Sequence, residues 1–234
     1  MKSSVRRMLI AFVTMILAIA GAITSVAVAT PAQAFTGTPA VFFVPHQDDE
    51  VLSMGSAIRE HVLAGRQVWV VLLTDGSSSV QCAQQYATRA ECTAERDKEF
   101  NAGVTSMGAN PTIRGDRMVD GTLTAAYVQS VVEEYYNYCP AGVCQYKSAS
   151  FKGTSEFDAN VDHKAVGAGL RAAVANSDKR FYISPAEWAG HTGAMTAQFN
   201  LNATLNLYPF GKLSVPAQFN QQTYPNGCYS KYYA

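Results

Sequence analysis

The feature that most constrains the fold is a short apolar run followed at once by a cluster of charged side chains. Residues 41–44 read Val-Phe-Phe-Val, and residues 45–50 read Pro-His-Gln-Asp-Asp-Glu. A continuous apolar run of this length predicts a strand that is buried on both faces. Because ligands of open α/β sheets collect at the carboxyl ends of the strands, the charged cluster is expected to lie at a functional edge of the sheet.

The cluster contains the side chains that a metal-dependent hydrolase needs. His46 and Asp49 are three residues apart at a predicted strand-to-helix turn, so both can bind one cation. Asp48 lies between them and remains available as a carboxylate that acts as a base. An open tetrahedral site needs a third protein ligand from elsewhere in the chain.

The other three histidines differ in what their surroundings indicate. His61 lies inside a predicted helix, where we interpret it as a packing or solvent-facing residue. His163 lies in the first turn of a later predicted helix, from which it can face the sheet edge. His191 lies in a loop between Gly190 and Gly193, and three interpretations remain open for it: a metal ligand, a substrate contact or no functional role.

The order of predicted elements indicates an α/β fold. Residues 50–64 predict a helix with one apolar stripe, and residues 67–73 predict a second buried strand, which completes a right-handed βαβ unit. We therefore expect a three-layer α/β/α architecture with a Rossmann-like, mostly parallel sheet. No Gly-x-Gly-x-x-Gly turn follows the first strand, which argues against dinucleotide binding.

The remaining assignments are coarser. Residues 77–87 predict a polar loop, residues 118–121 the end of a short strand or turn, and residues 181–183 a late strand. Further helices are expected over residues 88–107, with a break near Gly103, and over residues 122–138 and 162–175. The tail after Asn200 receives no assignment.

Residues 1–34 have the pattern of a secretory signal peptide. Basic residues, among them Arg6 and Arg7, precede a long apolar run, and an Ala-Gln-Ala cleavage motif ends at Ala34. The alternative is a membrane anchor that is kept in the protein. Cleavage predicts a secreted single domain of residues 35–234, without a stable membrane span. That domain has 15 basic and 18 acidic residues and no basic stripe, which argues against a nucleic-acid partner.

The cysteines support an exported protein with local disulfides. All five lie after residue 34, and an exported chain favours disulfide formation. We expect pairs between Cys82 and Cys92 and between Cys139 and Cys144, with Cys228 left over. Neither pair has the Cys-x-x-Cys spacing of a zinc finger.

Five motifs occur in a fixed order along the chain. They are residues 45–50, Thr-Asp-Gly at 74–76, Arg-Asp-Lys-Glu at 96–99, Asp-Gly-Thr-Leu at 120–123 and Asn-Val-Asp-His at 160–163. In this order they resemble the motifs of the zinc-dependent N-acetylglucosamine deacetylases of the PIG-L/LmbE type. Three of them also have a purely structural interpretation, as turns at Asp75 and Asp120 and as a helical ion pair between Arg96 and Glu99.

The resemblance implies a function for individual residues. His46, Asp49 and His163 would bind Zn²⁺, Asp48 would be the general base, and Arg96 and Asp120 would contact sugar hydroxyls. The implied reaction is hydrolysis of the acetamide of an N-acetylated amino sugar or glycoconjugate to acetate and a free amine. A site of two histidines and one aspartate also accepts other divalent ions.

The chain departs from the family pattern at two positions. Gln47 replaces a proline, which removes a fixed φ angle. Asn160 replaces a histidine that helps to stabilise the oxyanion in the family. An asparagine can donate a hydrogen bond to substrate but cannot carry a proton, and His191 could substitute for the missing group at the substrate.

Two alternatives follow from these departures and from the open choice of substrate. The first is a non-catalytic carbohydrate-binding protein, or a weakly active member of the family, and Asn160 is its main support. The second is a zinc hydrolase that cleaves another acyl amide, such as that of an acylated glycopeptide.

Overall fold

The predicted βαβ unit forms part of a seven-stranded sheet among the described residues. The computed structural model describes residue 35 and residues 37–139, 145–173 and 178–234. The strand order is β3-β2-β1-β4-β5-β7-β6, in which β1 to β5 are parallel, β7 is antiparallel to β5, and β6 is antiparallel to β7. The strands are β1 (Gly37–Val44), β2 (Arg66–Thr74), β3 (Asn110–Met118), β4 (Ser150–Thr154), β5 (Asp178–Ile183), β6 (Ala194–Met195) and β7 (Lys231–Tyr233).

Helices cover both faces of the sheet. They are α1 (Asp49–Leu52), α2 (Gly55–Leu63), α3 (Val80–Gln85), α4 (Arg89–Ser106), α5 (Ala125–Asn137), α6 (Val161–Ala172), α7 (Asn202–Leu205), α8 (Pro209–Ser214) and α9 (Pro216–Gln221). Two 3₁₀ turns, Gln145–Ser148 and Pro185–Gly190, complete the described elements. The predicted α/β fold with a mostly parallel sheet is confirmed.

The residues of β1 alternate between two apolar cores, as a strand with a two-residue side-chain period must. Val41 and Phe43 pack with apolar residues of α5 and α6 on one face. Phe42 and Val44 pack with apolar residues of α2 and α4 on the other face. All four side chains are fully buried, which explains the continuous apolar run in the sequence.

The position of β1 creates the functional edge. β1 pairs with β2 on one side and with β4 on the other, so the order of the strands reverses there. In open α/β sheets such a reversal leaves a crevice at the carboxyl ends of the strands. His46 lies two residues after the end of β1, and α6, which carries His163, follows β4.

The predicted helix over residues 50–64 is two helices, α1 and α2, with a break at Ser53 and Met54. The physical reason is that the two segments pack against different partners. Val51 belongs to a cluster with the C-terminal segment, residues 201–234, whereas Met54 and Ile58 face the sheet.

Other sequence assignments also need correction. The predicted loop at residues 77–87 contains α3, and α4 continues through Gly103 without a break. β4 was not predicted, and the unassigned tail forms three short helices and β7. No described helix has the length and apolar character needed to cross a membrane.

The predicted disulfide between Cys82 and Cys92 is confirmed, with 5.4 Å between the Cα atoms. It joins α3 to α4. Among the described cysteines, Cys228 has a free thiol, which is buried. Cys144 of the second predicted pair and the predicted signal peptide, residues 1–34, lie outside the described residues.

Candidate metal centre

The turn after β1 is anchored from several sides. The Thr74 hydroxyl donates a hydrogen bond to the carbonyl oxygen of Pro45, 2.6 Å away, which ties the turn to the end of β2. The backbone nitrogen of His46 donates to Asp49 Oδ2 at 3.1 Å. Since His46, Asp48 and Asp49 are all buried, the turn presents its side chains from a rigid base.

Two histidines converge on one carboxylate oxygen. Asp49 Oδ2 lies 3.1 Å from His46 Nδ1 and 3.1 Å from His163 Nε2. The ligand atoms of the three residues all lie within 4.8 Å of one another. Two imidazole nitrogens and one carboxylate oxygen are the donor set of an open zinc site, so these residues fit a divalent metal ion.

The other nitrogen of each histidine contacts a second carboxylate. His46 Nε2 lies 3.1 Å from Asp162 Oδ2 and 3.3 Å from Asp120 Oδ1. His163 Nδ1 lies 3.0 Å from Asp158 Oδ2. Carboxylates in this position fix the orientation of a metal-binding histidine and raise its basicity.

The electrostatics of the cluster favour positive charge at its centre. Burial acts to lower the pKa of His163, but the carboxylates of Asp49 and Asp158 outweigh it and raise the pKa to about 9. Burial likewise acts to lower the pKa of His46, and Asp120, Asp162 and Asp49 raise it well above its ordinary value. A metal ion would replace these protons on binding.

Asp158 and Asp162 were not predicted as functional residues. Asp162 also accepts hydrogen bonds from the backbone nitrogens of Gly121 and Leu123, at 2.7 and 3.0 Å, so it joins the 120–123 motif to α6. The available signal was its position directly before His163, since a helix start can bring both side chains to the same edge. Asp158 carried no comparable signal.

Asp48 lies beside the three candidate ligands and is held by Arg96. Arg96 Nη2 lies 3.4 Å from Asp48 Oδ2, and Nη1 of the same guanidinium donates to the carbonyl oxygen of Gly76. Burial raises the pKa of Asp48, whereas Arg96 acts to lower it. A positive charge so close keeps a buried carboxylate available to accept a proton.

Gln47 has a structural role at its position. Its side chain is fully buried, and Nε2 donates to the carbonyl oxygen of Asp75 and to Asp97 Oδ1, at 3.1 and 2.9 Å. Gln47 therefore links the β1 turn to the end of β2 and to α4. Asp75 in turn accepts from the backbone nitrogens of Ser77 and Asp120, which agrees with its interpretation as turn chemistry.

Glu99 has a different partner from the one considered in the helical ion pair. Its carboxylate accepts hydrogen bonds from the backbone nitrogens of Phe210 and Gly211 in α8. Phe210 also lies over the Arg96 guanidinium, with 5.4 Å from the carbon to the ring centroid. The C-terminal segment therefore contacts both charged residues of the 96–99 motif.

A cavity of about 540 Å³ opens over the candidate centre. The structure brings seven of the eight predicted site residues to its lining: His46, Asp48, Asp49, Arg96, Asp120, Asn160 and His163. Asn160 is the N-cap of α6, because its Oδ1 accepts from the backbone nitrogens of Asp162 and His163. His191 is not part of the lining and stacks on Phe157, with 6.4 Å between the ring centroids.

Comparisons with known proteins agree with this architecture. The sequence profile of the family described as GlcNAc-PI de-N-acetylase (PIG-L) matches residues 41–174. No curated protein sequence matches the chain.

Solved structures share the fold at low sequence identity. The 4-carboxy-2-hydroxymuconate hydratase GalB from Pseudomonas putida has a TM-score of 0.55 and 14% identity, over 79% of this chain and 84% of its own. The N,N'-diacetylchitobiose deacetylase from Pyrococcus horikoshii has a TM-score of 0.51 and 15% identity, over 81% and 72%. The A40926 pseudoaglycone deacetylase Dbv21 has a TM-score of 0.51 and 15% identity, over 83% and 95%.

Proposed function

Because the chain belongs to the GlcNAc-PI de-N-acetylase (PIG-L) family, we propose that it is an exported zinc-dependent deacetylase. Its substrate is an N-acetylated amino sugar or glycoconjugate, and its products are acetate and a free amine. The convergence of His46 Nδ1 and His163 Nε2 on Asp49 Oδ2, with Asp48 alongside, is the observation that carries the proposal.

The candidate ligands and their partners divide the work between them. His46, Asp49 and His163 would hold the ion, which when bound supplies a Lewis acid and lowers the pKa of water. Asp158 and Asp162 orient the two imidazoles through the nitrogens that face away from Asp49. The ion pair with Arg96 holds the carboxylate of Asp48 beside the three candidate metal ligands.

Asp48 moves the proton in this reaction. It accepts a proton from the attacking water, and a new C–O bond forms at the acetamide carbon. It then returns the proton to the nitrogen as the C–N bond breaks. Asn160 can offer its amide as a hydrogen-bond donor at the cavity wall but has no proton to transfer, so one carboxyl group serves both steps.

A carbohydrate-binding protein without catalysis is the second candidate. Asn160 favours this candidate, because it stands where the family has a histidine that can carry a proton. The side-chain oxygen of Asn160 is also already used as the cap of α6. This candidate predicts binding of N-acetylated sugars to the metal-loaded protein without release of acetate. Release of acetate from a glycopeptide but from no simple sugar conjugate would instead indicate the broader amide hydrolase.

Two variants separate metal binding from proton transfer. We expect His46→Ala to lose both the metal and the activity, whereas Asp48→Asn keeps the metal and loses about 10²- to 10⁴-fold in kcat. Metal content and acetate release are measured on the same samples. A His46→Ala protein that keeps tightly bound zinc contradicts the ligand assignment, and an Asp48→Asn protein with normal turnover contradicts the role of the base.

Export is proposed from residues 1–34 alone. We expect the protein recovered from the culture medium to begin at Phe35 when its N-terminus is sequenced. A cell-bound protein that begins at Met1 would instead indicate a retained anchor.

A further inference from the structure

The cavity over the metal centre has an excess of carboxylates. Among the described residues that line it are four aspartates and Glu187, against a single guanidinium, that of Arg96. Even with a divalent ion bound between the histidines, negative charge exceeds positive charge at this wall. The four aspartates of the lining are Asp48, Asp49, Asp120 and Asp158.

Arg96 is not available to an anionic ligand. It is 3% exposed, and its two terminal nitrogens contact Asp48 and the carbonyl oxygen of Gly76. Its guanidinium also packs against the Phe210 ring. A phosphate or carboxylate on the substrate would therefore meet no free cationic side chain in the described lining.

Glu187 differs from the four aspartates because its carboxylate has no hydrogen-bond or ion-pair partner among the described residues. Asp48 and Asp49 contact Arg96 and the histidines, and Asp120 and Asp158 each contact a histidine. Glu187 lies in the 3₁₀ turn Pro185–Gly190 after β5, with its side chain partly buried at the cavity wall. Glu187 is therefore the carboxylate of the described lining that is free to bind a cationic group or a hydroxyl of a substrate.

The other described residues of the lining, apart from the two histidines, are uncharged, and polar side chains alternate there with apolar ones such as Leu52 and Val215. Hydroxyl and amide side chains surround the opening, from Ser78, Ser79, Gln81, Asn160, Ser184, Ser214 and Gln218. Such groups exchange hydrogen bonds with sugar hydroxyls without requiring charge on the ligand. The cavity volume of about 540 Å³ is within the range of small-molecule sites.

We propose that this site selects amino-sugar oligosaccharides that are neutral or carry a free ammonium group, and that it rejects those that carry phosphate or carboxylate. Glu187 is the specificity residue, which binds the ammonium or a hydroxyl of the sugar next to the reacting acetamide. This inference rests on the proposed deacetylase function. It implies that a partly deacetylated oligosaccharide remains a good substrate, because the ammonium made in one turnover is accepted in the next.

Three disaccharides of equal ring number test this selection. They are N,N'-diacetylchitobiose, the same disaccharide with one free amine, and the disaccharide of N-acetylglucosamine with N-acetylmuramic acid, which carries a carboxylate. We expect kcat/KM for acetate release from the ammonium form to equal or exceed that of the neutral form, and the carboxylate form to be at least about tenfold slower. The difference should shrink at high salt.

The variant Glu187→Gln keeps the shape of the side chain and removes its charge. We expect it to lower kcat/KM for the ammonium form about tenfold relative to the neutral form, since a charge-assisted hydrogen bond is lost. Glu60→Gln is the matched control, because Glu60 is exposed on α2, outside the cavity lining, and its loss changes the net charge equally. Unchanged substrate ratios in Glu187→Gln would overturn the proposal.

Different results would contradict the substrate selection and the deacetylase function. Equal kcat/KM values for acetate release from the neutral and carboxylate forms would overturn the substrate selection but would still support the deacetylase function. If no disaccharide releases acetate, calorimetry of the zinc-loaded protein with the same three ligands decides. Tighter binding of the ammonium and neutral forms supports the selection without the reaction, and equal affinity or no binding overturns it.

Discussion

Asn160 shows how a single residue can support the candidate metal centre without being one of its three candidate ligands. Its Oδ1 accepts hydrogen bonds from the backbone nitrogens of Asp162 and His163, at 2.8 and 3.3 Å. These two residues are the partner of His46 and a candidate ligand. The cap therefore fixes the start of α6 at the place where its orientation matters most.

Replacing the cap should loosen both the helix and the site. We expect Asn160→Ala to lower the free energy of unfolding by about 1 kcal/mol and to weaken zinc binding. Asn160→Ser is the matched control, because serine keeps a capping oxygen. Urea denaturation and a competitive zinc titration measure the two effects, and a serine variant as impaired as the alanine variant would argue against the capping role.

His61 makes stability depend on pH at a position away from the metal centre. Burial, with the nearby charges of Lys152, Arg66 and Arg180, lowers the pKa of His61 from 6.5 to about 3. The folded protein therefore keeps this imidazole neutral, while the unfolded chain protonates it below pH 6.5. The contribution of the neutral His61 side chain to the free energy of unfolding is fully present above pH 6.5 and is lost as the pH falls toward 3.

Between pH 8 and pH 5 this residue should lower the free energy of unfolding by about 2 kcal/mol. His61→Phe removes the titration, and phenylalanine suits a site where Nε2 is buried without a hydrogen-bond partner among the described residues and the ring packs on Phe42. Urea unfolding of both proteins at the two pH values isolates the effect. An identical pH dependence in the wild-type protein and the variant contradicts it.

At the scale of elements, α4 and the C-terminal segment meet at Gly103. A Cβ at this position would overlap the ring and hydroxyl of Tyr208, which donates a hydrogen bond to the buried carboxylate of Glu50. The glycine at position 103 leaves room for the Tyr208 side chain beside α4, and the helix continues through this position. The glycine that suggested a break in the sequence has a packing role instead.

We expect Gly103→Ala to destabilise the protein by about 1 to 3 kcal/mol, because overpacking outweighs the gain in helix propensity. Gly115→Ala is the control, since a Cβ there would meet no atom of the described residues within 4 Å. Thermal and urea unfolding of both variants provide the measurement. A Gly103→Ala protein that is more stable than wild type would show that Tyr208 can move without loss.

The elements that sequence could predict are those with a local pattern. β1 and β2 are continuous apolar runs, and the helices on the sheet carry apolar stripes. β4 is fully buried yet contains Ser150 and Lys152, so it lacks such a pattern. The Lys152 ammonium is held by Ser150 Oγ and Asp178 Oδ2, at 2.7 and 3.2 Å, a compensation that only the folded chain reveals.

At the scale of the whole molecule, the site joins parts of the chain that are far apart in sequence. The His46, Asp49 and His163 centre could be predicted from motifs, because a strand end and a helix start meet at the reversal of the strand order. The contribution of the C-terminal segment could not be predicted from the sequence. Tyr208 contacts Glu50 and Phe210 contacts Arg96, and each pair is separated by more than 100 residues along the chain. Tyr208 and Phe210 lie outside residues 41–174, the segment that matches the family profile.

In the proposed function, one metal ion held by His46, Asp49 and His163 makes this chain a deacetylase. A zinc titration of metal-free protein, in which acetate release from N-acetylglucosamine conjugates is followed at each addition, tests this role of the metal. We expect activity that rises in proportion to the added zinc and reaches its plateau at one equivalent per chain. A rate of acetate release that is already maximal without metal would contradict this role of the metal. A protein that binds one equivalent of zinc and releases no acetate would also contradict it.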